Sequence, residues 1–110
     1  MITRIVRMEF RPEHVDDFLT HFDTVKNLIR AFPGVQHLEL HRDAGRSNVF
    51  YTYSKWDGEE DLEAYRQSEL FKGAWSEVKV WFLNRPQAFS LQEEMVVDPF
   101  VVRRCRPSPS

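Results

Sequence analysis

Two periods alternate along these 110 residues and predict an α+β fold of order β-α-β-β-α-β, with an antiparallel sheet and a split second helix. Stretches whose apolar residues recur at every second position bracket stretches where they recur at steps of three and four. Between them stand clusters of turn formers, Pro33-Gly34 and the run from Asp43 to Asn48.

Ile2 to Phe10 alternates, with Ile2, Val6, Met8 and Phe10 on one side and Thr3, Arg7 and Glu9 on the other; Arg4 and Ile5 each break their face. That pattern is a strand. Arg11-Pro12 stops it, and Pro12 suits the first position of a helix whose positive end is met by Glu13, Asp16 and Asp17. Val15, Phe18, Phe22, Val25, Ile29 and Phe32 then form a single helical face. Lys26 and Arg30 complement its far end, and Pro33-Gly34 terminates it.

Val35 to Arg42 is the second strand, with Leu38 and Leu40 on one face and His37, Glu39 and His41 on the other. The hairpin loop from Asp43 to Asn48 leads into a third strand, Val49 to Trp56. There Tyr51 and Tyr53 point one way and Phe50 and Trp56 the other, with Thr52 and Ser54 between them. Large side chains on both faces predict apolar cover on both. Asp57 is placed to cap a short helix whose third residue is Glu60 and which carries Leu62 and Tyr65 inward. Ser68 caps the next helix, where Phe71, Ala74, Trp75, Val78, Trp81 and Phe82 recur at helical spacing until Asn84-Arg85-Pro86. Gln87 to Glu94 is the fourth strand, with Phe89 and Leu91 on one face.

The plan is ferredoxin-like, with both helical segments on one face of the sheet. The other face is bare in a monomer, so a homodimer with sheets face to face is expected. Residues 1–94 form the predicted domain. Residues 95–102, β-prone but split by Asp98-Pro99, are expected to be an arm packed on a partner, and the basic, then Pro/Ser-rich, stretch 103–110 to be disordered.

A hydrophobic fraction of 42 % and an aromatic fraction of 14 % suffice for a core in one domain. The net charge of −2 is spread along the chain, without the basic stripe that a nucleic acid or an anionic membrane surface requires. The apolar runs are too short to cross a bilayer, and the N-terminus lacks the apolar stretch of a signal peptide. Cys105, the single cysteine, cannot pair within the chain, and a reducing cytoplasm is the expected compartment. No Gly-rich phosphate loop, CxxC, HExxH, flavin or nicotinamide fingerprint is present, and no cofactor is expected.

Phe50-x-x-Tyr53-Ser54-x-Trp56, followed by Leu62-x-x-Tyr65-Arg66-x-Ser68-x-x-Phe71 and a late strand after Pro86, resembles the antibiotic biosynthesis monooxygenase domain. The Pro33-Gly34 helix end and the His37-x-Glu39-Leu40 strand agree with it. The resemblance covers roughly residues 1–94 and implies a dimeric α+β barrel with a pocket between sheet and helices. Members of that family oxidise quinol- or anthrone-like aromatics with dioxygen and no bound cofactor; relatives degrade haem. The haem degraders use an Asn on the first strand, a Trp on the short second helix and a His about ten residues later. The matching positions here are Arg7 or a near neighbour, Tyr65 and Trp75, so the axial imidazole is absent. The polyketide oxidisers share Trp56, and carry an Asn where Thr52 stands, which offers a hydroxyl in place of an amide.

The string His37-x-Glu39-x-His41 is the most metal-like in the chain, yet the two imidazoles are about 13 Å apart along an extended strand and cannot converge on one ion without a bulge. His37 held by Glu39 is the leading acid/base candidate, because an imidazole suits proton abstraction from a phenol or quinol. Tyr53, Tyr65 and Trp75 are candidates for binding a flat aromatic, together with His37, Glu39, Thr52 and Trp56. Arg7 is expected to pair with Glu39 across the sheet, His14 to face solvent, and His21 to adjoin the core stripe where a pocket wall would be. The predicted function is oxidation of a small aromatic by dioxygen, with a non-catalytic binding dimer as the alternative. A pocket filled by Trp75 and Trp81 would favour the binder; an open one walled by His37 and Tyr53 would favour the enzyme.

Overall fold

The computed structural model describes residues 1–99, in the order β1 (Ile2–Glu9), α1 (Val15–Arg30), β2 (Val35–Arg42), β3 (Val49–Trp56), α2 (Glu59–Arg66), α3 (Glu69–Val78) and β4 (Gln87–Gln92). Short 3-10 turns at Pro12–His14 and Lys79–Trp81 precede α1 and follow α3. The four strands form one antiparallel sheet in the order β2-β3-β1-β4. This is the ferredoxin-like α+β plan, with the helices packed on one face.

That face is set by strand parity. Phe50, Thr52, Ser54 and Trp56 of β3 lie beside Met8, Val6, Arg4 and Ile2 of β1 in register. One core cluster joins Met8, Phe10 and Phe50 of the sheet to Phe18 of α1 and Val78 of α3. Phe10 is fully buried, with its ring stacked 4.3 Å from Phe18 and 5.2 Å from Phe82. A second cluster joins Ile2, Val35 and Trp56 to Leu62 of α2, with Phe32 and Tyr65 against it. Each such large side chain removed from water stabilises the fold by about 1.5–3 kcal/mol. The two clusters close the ends of the helical layer and leave its middle open.

The register between β2 and β3 shifts between Val35 and His37. The irregularity lets Val35 and Leu38 both face the helices although three positions separate them. Gly34 precedes it at φ 91°, in the left-handed region, and a Cβ there would stand 2.5 Å from the Asp61 side chain. Only glycine permits α2 to approach the start of β2 this closely.

Three local expectations need correction. Gly58, not Asp57, is the N-cap of α2, and the Asp57 carboxylate instead accepts from Gln36 Nε2 at 3.0 Å. The last helix ends at Val78, short of Trp81 and Phe82. The segment beyond it is drawn alongside the end of β1, where Arg11 N–H donates to the Trp81 carbonyl and Leu83 N–H to that of Glu9. The fourth strand stops at Gln92. Ser68 does cap α3, accepting from Phe71 N–H at 3.1 Å. Of the expected C-terminal arm, 95–99 are exposed and form no strand, while 100–110, including the whole of the expected disordered stretch, lie outside the described residues.

Candidate functional site

Between α1 and α3, above the sheet, is a cavity of about 460 Å³, within the usual range for a small-molecule site. β1 and β3 supply its floor through Val6, Met8, Thr52 and Ser54; Phe22 and Val25 of α1 form one wall, and Phe71, Ala74 and Trp75 of α3 the other. Ala74 is the small residue on the α3 wall, between the bulky Phe71 and Trp75, and the cavity lies between the two core clusters.

Its aromatic surface is held rigidly. Tyr65 sits 5.0 Å from Trp56, 5.2 Å from Phe71 and 5.3 Å from Phe32, and burial pushes its hydroxyl up to about 12, so it is neutral at physiological pH. Trp75 stacks on Phe71 with centroids 5.9 Å apart and planes 11° from parallel. Trp56 is buried, and its indole N–H donates to Ser54 Oγ at 3.0 Å, so that donor is already used.

Few polar groups reach this wall. Arg4, on the inward face of β1, donates to Ser90 Oγ at 2.9 Å; burial, and then the nearby charge of Arg66, lowers its pKa. Arg66 lies 3.6 Å from Glu63. His21 of α1 also lines the cavity, with its ring edge-on to Trp81 at 6.0 Å. Its Nε2 is buried and has no hydrogen-bond partner among the described residues.

The structure divides the sequence-predicted site residues between the two sheet faces. Thr52, Trp56, Tyr65 and Trp75 come together on the cavity wall. His37, Glu39 and Tyr53 do not reach it: they lie on the helix-free face, where His37 is edge-on to Tyr53 at 6.0 Å. Parity is the reason, since Tyr53 stands between the inward Thr52 and Ser54. Glu39 accepts from both His37 and His41 Nε2, bonds that hold its carboxyl below the usual range. Among the described residues no group of three His, Cys, Asp or Glu could hold a metal ion. Arg7 pairs with Glu9 at 3.7 Å rather than with Glu39, because β3 separates β1 from β2. Glu9, 4 % exposed, also accepts from Asn84 and Arg46; the Asn84 hydrogen bond does most to lower its pKa, burial opposes it, and Arg46 and Arg7 add to the lowering. Arg4 was signalled by a charged residue at an inward position of β1, which by itself reads as a flaw in the alternation.

The sequence model of the family described as antibiotic biosynthesis monooxygenase matches residues 1–76. The chain belongs to the antibiotic biosynthesis monooxygenase family. Solved structures agree on the fold. A crystal structure of an antibiotic biosynthesis monooxygenase superposes with a TM-score of 0.82 at 16 % identity, over 86 % of this chain and all of that one. A conserved protein from Methanosarcina mazei gives 0.80 at 14 % identity, over 86 % of this chain and 94 % of that one. A protein of Haloarcula marismortui named "Putative heme-binding protein" is 31 % identical over 61 residues, which are 56 % of this chain but 9 % of that protein. The chain thus spans under a tenth of that relative's length. No helix among the described residues of this family member is long and apolar enough to cross a membrane.

Proposed function

We propose that the protein is a cofactor-independent monooxygenase of a small quinol- or anthrone-like aromatic, which binds in the cavity between α1 and α3. The observation that carries this reading is the cavity itself, open and walled by stacked aromatics. Trp75 forms part of the wall without filling the space, and Trp81 does not line it. Thr52, Trp56, Tyr65 and Trp75 would bind the ring system, Thr52 offering its hydroxyl to a substrate oxygen.

The chemistry asks little of the protein. For an anthrone, removal of a methylene proton gives an anion that itself reduces dioxygen. One oxygen atom enters that carbon as a carbonyl, and the other leaves as water with the two methylene hydrogens. The protein's part is to orient the ring, help the proton leave and keep bulk water out.

A homodimer accompanies this reading. Phe89 is 50 % and Leu91 48 % exposed on β4, and the register sets them beside Ile5 and Thr3 on the helix-free face. Tyr53 continues that surface across Ile5, so a second copy packed there would cover His37, Glu39 and Tyr53. These three would then serve the subunit contact rather than the cavity.

A non-catalytic binder is the second reading, favoured by one observation: the Trp56 indole N–H is already used by Ser54. Haem ranks third, because Trp75 stands where the haem degraders have their axial His, and an indole offers iron no lone pair. Dioxygen uptake by the metal-chelated protein with a panel of reduced naphthoquinols and anthrones separates the first two. Uptake above autoxidation supports the enzyme; none across the panel supports the binder. A Soret band formed on hemin titration would reinstate the third.

A further inference from the structure

Two arginines, Arg4 and Arg66, stand on the wall of the cavity, and among the described residues no carboxylate does. Arg4 occupies an inward position of β1, in register with Ser54 of β3 on one side and Ser90 of β4 on the other. Among the described residues its one hydrogen bond goes to the neutral Ser90 Oγ, and no acidic side chain pairs with it. Most N–H donors of its guanidinium are thus left without a protein acceptor. Arg66 of α2 reaches the same cavity. Its pair with Glu63, 3.6 Å apart with both side chains at least half exposed, is of the surface kind that contributes little.

A guanidinium drawn partly out of water costs free energy unless an anion stands against it, and a second arginine nearby adds to that cost. Both effects act on Arg4, whose pKa is lowered by burial first and then by the charge of Arg66. The nearest acids do not relieve it from within the cavity. Glu59, Glu60 and Glu63 line a neighbouring groove that the two arginines also border, and none of the three lines the cavity. In the groove acids outnumber arginines, which turns an anion away. In the cavity no acid opposes the arginines, and its apolar wall strengthens their field.

We propose that Arg4 and Arg66 form the anion-binding end of the cavity, and that its aromatic ligand carries a carboxylate held by the two guanidinium groups. The planar fork of an arginine matches the two oxygens of a carboxylate, and Tyr65, Phe71 and Trp75 supply the surface for the attached ring. The carboxylate removes the cost of the unpaired charge on Arg4 and the repulsion between the arginines, so the ligand class is an aromatic acid. This inference deepens the reading of the cavity as an aromatic site and rests on it, but not on oxidation taking place there.

The test compares 4-methoxybenzoate with 4-nitroanisole, because a carboxylate and a nitro group share one planar shape and differ in charge. Calorimetric titration of wild type at low salt is expected to give about tenfold tighter binding of the carboxylate, in the range for hydrogen bonds to charged groups, and added salt should narrow the difference. Arg4→Gln and Arg66→Gln should each cut the preference by about threefold or more while 4-nitroanisole binds nearly as before. Arg4→Lys should retain part of it, keeping the charge and losing the fork. Arg7→Gln, which removes an arginine from the helix-free face, should leave it unchanged. Arg66 is half exposed, so its variant decides the matter should Arg4→Gln not fold. Equal or weaker binding of the carboxylate by wild type, an undiminished preference in a folded Arg4→Gln or Arg66→Gln, or an equal loss in Arg7→Gln overturns the proposal. Failure of both probes to bind wild type overturns it together with the cavity reading. An arginine-dependent preference without dioxygen uptake from any quinol upholds the carboxylate site and removes only the monooxygenase.

Discussion

Ala74→Phe tests whether the space between α1 and α3 is a binding cavity or a loosely drawn core. Ala74 lies half-buried on the α3 wall with the cavity in front of it. A phenyl ring placed there buries apolar surface worth about 1.5–3 kcal/mol at full burial, and about half that at this partly open site. The exchange gives back up to about 0.7 kcal/mol of helix propensity. The net expectation is therefore neutral to about 1 kcal/mol stabilising. Were the middle of the layer packed, the same substitution would cost about 1–3 kcal/mol through overpacking. The sign is the result that matters, and urea unfolding reads it from the midpoint if the slope is unchanged. The same variant should lose most of its affinity for 4-nitroanisole. Destabilisation by more than about 1 kcal/mol with ligand binding intact would refute the cavity.

Other perturbations probe the supports of the site. Gly34→Ala should cost at least about 1–2 kcal/mol for a left-handed φ, with an added clash against Asp61 2.5 Å away; thermal unfolding measures it. Ser68→Ala should cost about 1 kcal/mol through loss of the Phe71 N–H cap, a fall of about 4–8 °C in Tm. The lowered pKa of Glu9 adds stability that is present above the unfolded carboxylate pKa and lost as pH falls through the lower folded value. Glu9→Gln should accordingly be less stable than wild type at neutral pH and show a shallower acid limb in urea midpoints. Phe89→Asp should convert the expected dimer to monomer in light scattering; a wild type that is already monomeric would contradict the helix-free face as a contact.

The fold was legible where one period dominated. The α1 stripe from Val15 to Phe32 and the alternation of β1 could bury themselves in one way only, and they fixed the helix-covered face through Phe18 and Phe10. Caps were less legible. Asp57 has the chemistry of an N-cap, but Gln36 at the β2 irregularity claims its carboxylate, a contact between residues 21 apart in sequence. Half of the candidate site emerged for the same reason the other half did not. Parity separates Thr52 from Tyr53, yet β3 carries large side chains on both faces, so its pattern alone does not say which face the cavity uses. His21 adjoins the helical stripe, and what sets it apart, a buried nitrogen without a partner among the described residues, emerges only once Trp81 folds against it from beyond the end of α3.

The central claim is that a small aromatic bound in this cavity takes up one atom of dioxygen. Mass spectrometry of the product formed from an anthrone under isotopically labelled dioxygen tests it most directly, with wild type beside Ala74→Phe. The account predicts one labelled oxygen atom in the wild-type product, the second recovered as labelled water, and little product from the variant. A product without label, label recovered only as hydrogen peroxide, or equal yield from Ala74→Phe would contradict it.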